Sequence, residues 1–308
     1  MSELRHAVED YLRTRRALGF KLEREAGLLF DFVATLEGAG QHTLTLDAAL
    51  AWATRPPDAQ RSWWAARLSA VRGFARWRHA FDPATEVPPA DLLPAHSRRA
   101  QPYPYTDADV VALMRAAHAL PAPLRAATYQ TLIGLLAVTG MRVGEVIDLD
   151  RGDADWGEGL LVVRGAKFNK SREILLHPST VEALRSYATV RDQHCPHPGT
   201  AAFFLSLAGT RLIYKNVHRT FHRLVTQTGL APYSDRCRPR IHDLRHRFAV
   251  RTLLGWYRDG EDVGARLAQL STYLGHLNPS DTYWYLQAAP ELLALAAGRL
   301  QAAQEAPR

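Results

Sequence analysis

The sequence predicts a mainly α-helical protein of two domains, with one small β-hairpin in the second domain. Residues 4–81 carry apolar side chains at helical spacing. Residues 82–106 then contain six prolines, which interrupt any regular helix. The only β-rich runs are residues 160–163 and 173–176, on either side of a turn-forming segment. Because 308 residues exceed the usual size of a single core, two domains are expected.

Composition narrows the class of protein. The formal charge of +7 favours an acidic partner such as nucleic acid, although abundant arginine can also reflect the base composition of a genome. Two cysteines, Cys195 and Cys237, provide no disulfide framework and suit a reducing compartment. No apolar run has membrane-spanning length, and the N-terminus lacks the apolar region of a signal peptide. We therefore expect a cytoplasmic protein without a membrane partner, associated with the nucleoid if it binds DNA.

Residues 1–82 form the predicted first domain. Three amphipathic segments lie near residues 8–18, 22–36 and 46–53, and a fourth spans residues 58–81. The fourth has an apolar stripe made of Trp64, Leu68, Val71, Phe74 and Phe81. Its arginines supply the candidate DNA-binding residues, since a helix fits the major groove and guanidinium groups bind phosphate. These candidates are Arg61, Arg67, Arg72 and Arg76; a merely solvated helix face is the alternative.

The proline-rich residues 83–105 are predicted to be a semi-rigid, extended linker. The second domain then covers residues 106–308 and opens with a helix that Thr106 and Asp107 can cap. An apolar helix over residues 126–138 stops at Gly140, and Arg142 follows at the start of a short helix. Glu145 lies one turn further on, where it can hold the Arg142 guanidinium, although an ordinary ion pair explains this motif equally well.

The predicted hairpin spans residues 160–176 and carries Lys167 and Lys170 at its tip, where lysines commonly serve only solubility. Helices are expected at residues 179–191 and 214–228, with a possible strand at 203–205. His194, Cys195 and His197 lie close in sequence, but prolines interrupt them and they lack zinc-ligand spacing. No metal and no cofactor are predicted.

The last third of the chain carries the strongest candidates for chemistry. In the segment HDLRH, His242, Arg245 and His246 share one face of a predicted helix, which suits a phosphate. His276 follows in the segment LGH, and Tyr285, a possible covalent nucleophile, comes nine residues later. Tyr283 is the competing tyrosine. Residues 290–297 form a short apolar segment that packs either on its own domain or on a neighbouring subunit.

Taken in order, these signals resemble the tyrosine recombinase family, also called phage integrases, which includes the Xer-type enzymes. The residues that carry the resemblance are Arg142 in TGMRVGE, Lys167 in GAKFNKSR, His242 and Arg245 in HDLRH, His276 in LGH, and Tyr285. The resemblance covers the second domain as a whole, while the helical first domain is similar to the family's core-binding, DNA-clamping domain. The segment TYWYL followed by PELL is most similar to recombinases carried by bacterial transposable elements.

The resemblance implies an integrase-type catalytic domain that acts on double-stranded DNA through a 3′-phosphotyrosine and a free 5′-hydroxyl. It also implies four copies of the chain on two synapsed DNA sites, two of them active at a time, with or without partner recombinases. A type IB topoisomerase and a catalytically silent DNA-binding accessory protein are the alternatives.

The residue types fit this chemistry independently. Arg142 and Arg245 can stabilise the charge that develops on the phosphate, so no metal is needed. A covalent intermediate would conserve the energy of the phosphodiester, so no ATP is needed either. His242 is the candidate general base, His276 a hydrogen-bond donor to the phosphate, and Tyr285 the nucleophile. Lys167 is the candidate general acid for the leaving oxygen. Lys170 is its rival for that role and otherwise a DNA-binding residue.

Overall fold

The computed structural model describes residues 2–93, 100–166, 170–276, 278, 280–287, 292, 295, 297 and 298. Within these ranges the side chains of residues 165, 166, 170, 280, 281, 286 and 287 are left out of the description. The chain divides into two compact units, residues 1–99 and 100–308. Mostly helical structure with a small three-stranded sheet confirms the predicted fold class.

Unit 1 contains four helices in its described part: α1 (Glu3–Ala17), α2 (Glu23–Gly38), α3 (Leu46–Thr54) and α4 (Arg61–His79). Ser2 caps α1 by accepting the Arg5 N–H, and Thr45 caps α3 in the same way. The helices enclose an apolar core that contains the fully buried rings of Phe32, Trp52 and Phe74. This core holds α4 in place and so decides which of its arginines can reach solvent.

Helix α4 is shorter than the sequence predicted: it ends at His79, whereas the prediction extended it to residue 81. Phe81, which we assigned to the apolar stripe, lies beyond the helix and is exposed. Its ring instead contacts the edge of the core through Trp77, at a centroid distance of 5.0 Å. The apolar periodicity of a helix therefore does not predict the burial of residues that lie beyond its last turn.

The boundary between the units falls after Arg99, inside the stretch predicted as a linker. The parts of that stretch that the structure describes pack on the unit to which they belong. Val87 and Leu93 contact the core of unit 1, and Thr85 is buried there. Tyr103 and Tyr105 belong to the core of unit 2.

Unit 2 is built on α5 (Asp107–His118), α6 (Pro123–Thr139), α7 (Val143–Asp148), α8 (Pro178–His194), α9 (Tyr214–Gln227), α10 (Asp243–Arg258), α11 (Val263–Leu274) and α12 (Ser280–Gln287). A capping box of Thr106 and Asp109 starts α5 as the sequence predicted. The sequence did not predict α11 and α12 as separate helices. Helix α6 is buried on nearly all sides and forms the centre of the core.

A three-stranded antiparallel sheet lies at the edge of this core, with the strand order β1 (Ala154–Asp155), β2 (Leu160–Ala166) and β3 (Lys170–Leu175). Leu161 pairs with Ile174, and both are buried, so the register places one face of the hairpin on the helices. Residues 203–205, predicted as a possible strand, are buried but form only an isolated bridge between Leu205 and Arg211.

Helices α10, α11 and α12 contribute to a second apolar cluster in unit 2. Leu253 of α10, Leu274 of α11 and Tyr285 of α12 are among its buried members, and Leu292 joins them with 1% exposure. Leu292 therefore packs on its own domain, which is the first of the two alternatives for this segment. In the part of the chain that the structure describes, no helix is long and apolar enough to cross a membrane.

Candidate active site

Arg142 is fixed at the N-terminus of α7 by three hydrogen bonds. Its backbone N–H donates to one carboxylate oxygen of Glu145, and its guanidinium donates to the other, both at 2.8 Å. A second guanidinium nitrogen donates to the carbonyl oxygen of Gly275 at 2.8 Å. Since 37% of the side chain is still exposed, the guanidinium is held in one orientation yet remains accessible to a ligand.

Arg245 lies in the first turn of α10 and is almost completely buried. Its guanidinium donates to the carbonyl oxygens of Gly140, at 2.7 Å, and Leu274, at 2.6 Å. The turn at residues 274–275 therefore binds both candidate arginines through its backbone. Two guanidinium groups with fixed partners are suited to bind an anion such as a phosphate.

Gly275 ends α11 with a φ of +66°, in the left-handed region. A Cβ at this position would lie 2.9 Å from a guanidinium nitrogen of Arg172 and 3.5 Å from one of Arg142. Both the backbone conformation and the space beside the two arginines thus favour glycine here.

Tyr285 lies on α12 with its ring inside the site at 5% exposure, whereas Tyr283 is 51% exposed. The Tyr285 ring stacks on that of His276 at a centroid distance of 5.8 Å and contacts that of His246 at 5.0 Å. Burial lowers the pKa of the Arg245 guanidinium, and its interaction with the Tyr285 hydroxyl opposes that effect. Of the two neighbouring tyrosines, Tyr285 is therefore the one beside the arginine.

The two histidines that the sequence predicted to be catalytic, His242 and His276, are held differently. The His276 Nδ1 lies 2.7 Å from the hydroxyl oxygen of Thr282, a side chain that is 1% exposed, and this bond orients the imidazole. His242 precedes α10 and is exposed at the mouth of the site. Partial desolvation, followed by the charge of Arg245, lowers the pKa of His242. Its neutral form, which accepts a proton, is favoured as a result.

Glu145 connects Arg142 to Arg172 of β3. The Arg172 guanidinium donates to both carboxylate oxygens of Glu145, at 3.0 and 2.7 Å. Burial would raise the pKa of Glu145, but the hydrogen bonds and charge of Arg172, together with the donors of Arg142, lower it to about 2. Glu145 is therefore a carboxylate at any physiological pH.

The structure thus brings Arg142, Arg245, His276 and Tyr285 together, with the charges of both arginines acting on His242. The predicted acid Lys167 lies outside the described residues. Lys170 begins β3, but its side chain is outside the description.

Sequence reasoning missed two residues of the site, Arg172 and Thr282. Arg172 gave no local signal, because its partners Glu145 and Tyr273 lie 27 and 101 positions away. The sequence contained only a weak indication of Thr282, namely that it lies between the two predicted residues His276 and Tyr285. Long-range hydrogen bonds of this kind cannot be read from periodicity.

The exposed face of α9 was also missed. It presents Lys215, Arg219 and Arg223 at four-residue spacing, together with the neighbouring rings of His218 and His222. Spacing of this kind places side chains on one helical face, so the sequence did contain a signal for a basic surface in unit 2.

The predicted DNA-binding arginines of α4 do not form one set. Arg61 and Arg76 are exposed, and Arg72 is partly buried, with Nε donating to the carbonyl oxygen of Pro88 at 3.1 Å. The prediction that Arg67 binds DNA is wrong, because its side chain belongs to the core of unit 1. Its guanidinium stacks 3.7 Å from the ring centroid of Trp52, donates to the carbonyl oxygen of Trp52 and pairs with Asp31 at 3.6 Å.

Comparisons with known proteins decide the family. Residues 105–291, which span the whole of this site, match the model of the phage integrase family. The chain belongs to this family of tyrosine-type site-specific recombinases. Among curated proteins, the recombinase is 46% identical to the putative integrase/recombinase y4rB of Sinorhizobium fredii over 98% of each chain. It is 30% identical to the tyrosine recombinase XerC of Mycobacterium tuberculosis, over 85% of this chain and 84% of that one.

Solved structures show the same fold as the recombinase. The crystal structure of XerA recombinase matches with a TM-score of 0.52 and 21% identity, over 99% of this chain and 100% of that one. The Tn1549 transposon integrase, solved in complex with transposon right end DNA, matches with a TM-score of 0.63 and 16% identity, over 96% and 99%. Both likenesses cover both units of the recombinase.

Over the described ranges, no group of three or more His, Cys, Asp or Glu side chains is arranged to hold a metal ion. His194 is exposed and its Nδ1 lies 2.9 Å from the carbonyl oxygen of Val190, so it is engaged by its own helix.

Proposed function

We propose that this recombinase cleaves and rejoins double-stranded DNA at specific sites through a covalent 3′-phosphotyrosine at Tyr285. The observation that carries the proposal is the position of Tyr285, buried on α12 and in contact with His276 and Arg245. A tyrosine on a DNA-binding module has no need of such surroundings, which favours an enzyme over a silent accessory protein.

The proposed reaction is an in-line displacement at phosphorus. The Tyr285 oxygen forms a bond to the phosphorus and gives its proton to His242, whose lowered pKa favours the neutral, proton-accepting form. The bond between phosphorus and the 5′-oxygen breaks, and that oxygen takes a proton from Lys167. Attack of a 5′-hydroxyl on the phosphotyrosine reverses these steps. Because the covalent intermediate keeps the energy of the phosphodiester, rejoining requires no ATP.

Two guanidinium groups supply the charge stabilisation in this proposal. Arg142 and Arg245 are oriented by carbonyl oxygens of one turn before any ligand binds, so little reorganisation is needed as charge develops on the phosphate oxygens. His276 adds a hydrogen bond to the same oxygens. We propose that this positive charge takes the place of a metal ion.

DNA binding is proposed for basic surfaces in both units. In unit 1 we retain the exposed Arg61 and Arg76 and the partly buried Arg72 as phosphate ligands. In unit 2 the basic face of α9 adds Lys215, Arg219 and Arg223, and Lys170 remains a candidate. The structure of the Tn1549 transposon integrase in complex with transposon right end DNA supports DNA as the substrate class. Acting on DNA, the recombinase would work in the cytoplasm, on the nucleoid.

We further propose that four copies assemble on two synapsed DNA sites, and that the C-terminal segment docks on a neighbouring copy. Unit 2 has an open apolar groove of about 1260 Å³ between α5, α6, α8 and α10. Val111, which lines it, is 43% exposed, so apolar surface there is available for a partner. Leu292 and Leu295 pack on their own domain, so residues 299–308, which follow them in the sequence, are the proposed occupant, supplied by the next copy.

A suicide substrate tests the chemistry. A duplex selected by the recombinase from a random library is nicked beside the cleavage point, so that a short strand is lost and rejoining is blocked. We expect a covalent protein–DNA band that resists denaturation, forms in the presence of EDTA and without ATP, and releases a 5′-hydroxyl end. If the protein binds the duplex but never yields this band, the proposed enzymatic function is wrong and the DNA-binding accessory protein is the remaining alternative.

A further inference from the structure

Arg172 lies where three elements of the site meet. From β3, its two terminal nitrogens donate to the carboxylate of Glu145 on α7, and its Nε donates to the carbonyl oxygen of Tyr273 on α11 at 2.9 Å. Only 13% of the side chain is exposed. Since each nitrogen of the guanidinium has an acceptor inside the protein, Arg172 is placed to organise other residues and not to bind DNA itself.

The first consequence concerns Arg142. Glu145 accepts hydrogen bonds from the backbone and the guanidinium of Arg142 while Arg172 occupies both of its oxygens from another side. Burial disfavours a charged carboxylate, and Arg172 is the main group that opposes this effect. Without Arg172, Glu145 would take up a proton more readily. The protonated carboxyl oxygen would then no longer accept a hydrogen bond from Arg142.

The second consequence concerns the turn that follows α11. Tyr273 directly precedes Leu274 and Gly275, whose carbonyl oxygens bind Arg245 and Arg142. The Arg172 guanidinium packs so closely on Gly275 that an added Cβ would lie 2.9 Å from it. Arg172 therefore fixes the position of the turn that also carries His276.

The third consequence concerns the hairpin. Arg172 lies five residues after Lys167 in the sequence and pairs with Val163 across the hairpin. Its bonds to α7 and α11 therefore attach the middle of the lysine-bearing hairpin to the two elements that hold the arginines.

We propose that Arg172 is a positioning residue of the recombination reaction, which orients Arg142 through Glu145, fixes the turn of His276 through Tyr273, and anchors the hairpin that carries Lys167. The inference rests on the proposed function. It adds a residue that touches no reacting atom and acts only through its three partners.

The test compares wild type with Arg172→Gln in single-turnover cleavage of the nicked substrate, from about pH 5 to about pH 9. Because small displacements of catalytic groups are costly, we expect cleavage at neutral pH to slow roughly 10- to 100-fold with unchanged DNA affinity. The loss should deepen as the pH falls and lessen as it rises, because protonation of Glu145 then adds to the defect. A variant that cleaves like wild type at every pH would overturn the proposal.

Matched variants separate positioning from folding. Arg191 of α8 is also buried, and it bonds Asp192 and the carbonyl oxygen of Phe203, on segments that carry no residue of the site. Arg191→Gln should leave the pH dependence of cleavage unchanged. Guanidinium ions should restore part of the rate of Arg172→Ala, whereas Arg172→Lys should stay slow, because one ammonium cannot serve both oxygens of Glu145. If Arg172→Lys cleaves like wild type, charge alone suffices and the positioning role is wrong.

A measurement without DNA keeps this inference separate from the proposed function. Carboxyl carbon NMR of Glu145 should show a pKa of about 2 in the wild type and a higher pKa in Arg172→Gln. If the wild type forms no adduct, the proposed function fails, but this titration still tests the link between Arg172 and Glu145. If the wild type forms the adduct and the Glu145 titration does not change in the variant, only the inference fails.

Discussion

At the scale of single residues, burial separates two tyrosines that the sequence places side by side. Tyr285 is enclosed by His246 and His276, while Tyr283 is mostly exposed on the same helix. We therefore expect Tyr285→Phe to abolish the covalent adduct and to keep DNA affinity, since only the hydroxyl is lost. Denaturing gels of suicide-substrate reactions measure the adduct, and binding shifts measure the affinity.

Tyr283→Phe is the matched control and should form the adduct at the wild-type rate. The assignment is reversed if the adduct persists in Tyr285→Phe and disappears in Tyr283→Phe. Residues two apart on a helix point in different directions, so neither tyrosine should replace the other.

Lys167 can be tested by the quality of the leaving group. A general acid matters when the leaving oxygen is a poor leaving group, and a 5′-thiol leaves without a proton. Lys167→Ala should therefore fail on ordinary DNA and recover cleavage on a 5′-bridging phosphorothiolate. Arg142→Ala and Arg245→Ala should stay slow on both substrates, because they act on the phosphate. Cleavage rates on the paired substrates give the answer.

Lys170→Ala is the control for this experiment and should weaken binding without selective recovery on the thiol. Recovery of Lys170→Ala in place of Lys167→Ala would show that the wrong lysine was chosen. If neither variant recovers, the proton comes from another group.

The residues that the proposed reaction uses directly could be predicted from the sequence more readily than the residues that support them. Arg142, His242, Arg245, His276 and Tyr285 stand in short motifs with fixed spacing, and in the structure they lie near one another, while their catalytic roles stay a prediction. The supporting contacts of Arg172 join positions far apart in the chain. Such pairs depend on how helices and hairpin pack, which a local pattern does not contain.

At the scale of the helix, α4 presents exposed arginines on one side and a buried one on the other. Each phosphate contact contributes roughly 0.9 to the slope of log affinity against log salt. We expect the combined change Arg72→Gln and Arg76→Gln to reduce that slope by about 2 if both residues bind phosphate. Binding measured over a salt series checks this.

Arg13 of α1 is a suitable control, because it is exposed and paired with Asp10 on its own helix. Arg13→Gln should leave the slope unchanged. If the slope is equal in wild type and in the α4 variant, Arg72 and Arg76 do not bind phosphate and belong only to a solvated helix face.

Helical periodicity could predict that α4 exists but not how its arginines divide. The amphipathic pattern gave the four helices of unit 1 and placed Leu68 and Phe74 in the core, where they lie. It assigned every arginine to the outer face, because charged side chains usually stay in water. Arg67 departs from that rule, since the Trp52 ring and Asp31 compensate its burial.

At the scale of the whole molecule, the apolar groove of unit 2 bears on assembly. Val111→Asp places a charge on an exposed position of that groove, so folding should be unaffected while docking of a neighbour's C-terminal segment is disfavoured. We expect binding to a single DNA site to be unchanged and the complex of four copies with two sites to be lost. Native gels and light scattering distinguish the two complexes.

Leu207→Asp, at an exposed apolar position outside the groove, should assemble normally. A shortened chain that ends at residue 298 should behave like Val111→Asp. If this shortened chain assembles like wild type, residues 299–308 are not the occupant.

The two arginines of the site are gripped by carbonyl oxygens of Gly140, Leu274 and Gly275, and a carbonyl oxygen is the same in every amino acid. Substitution of surface side chains away from these turns therefore leaves the orientation of both arginines unaltered. For laboratory evolution toward new target sequences, this separates two kinds of position. Libraries can vary positions of α4 and α9 between the basic side chains proposed to bind phosphate, while they should spare the glycines that set the backbone of these turns.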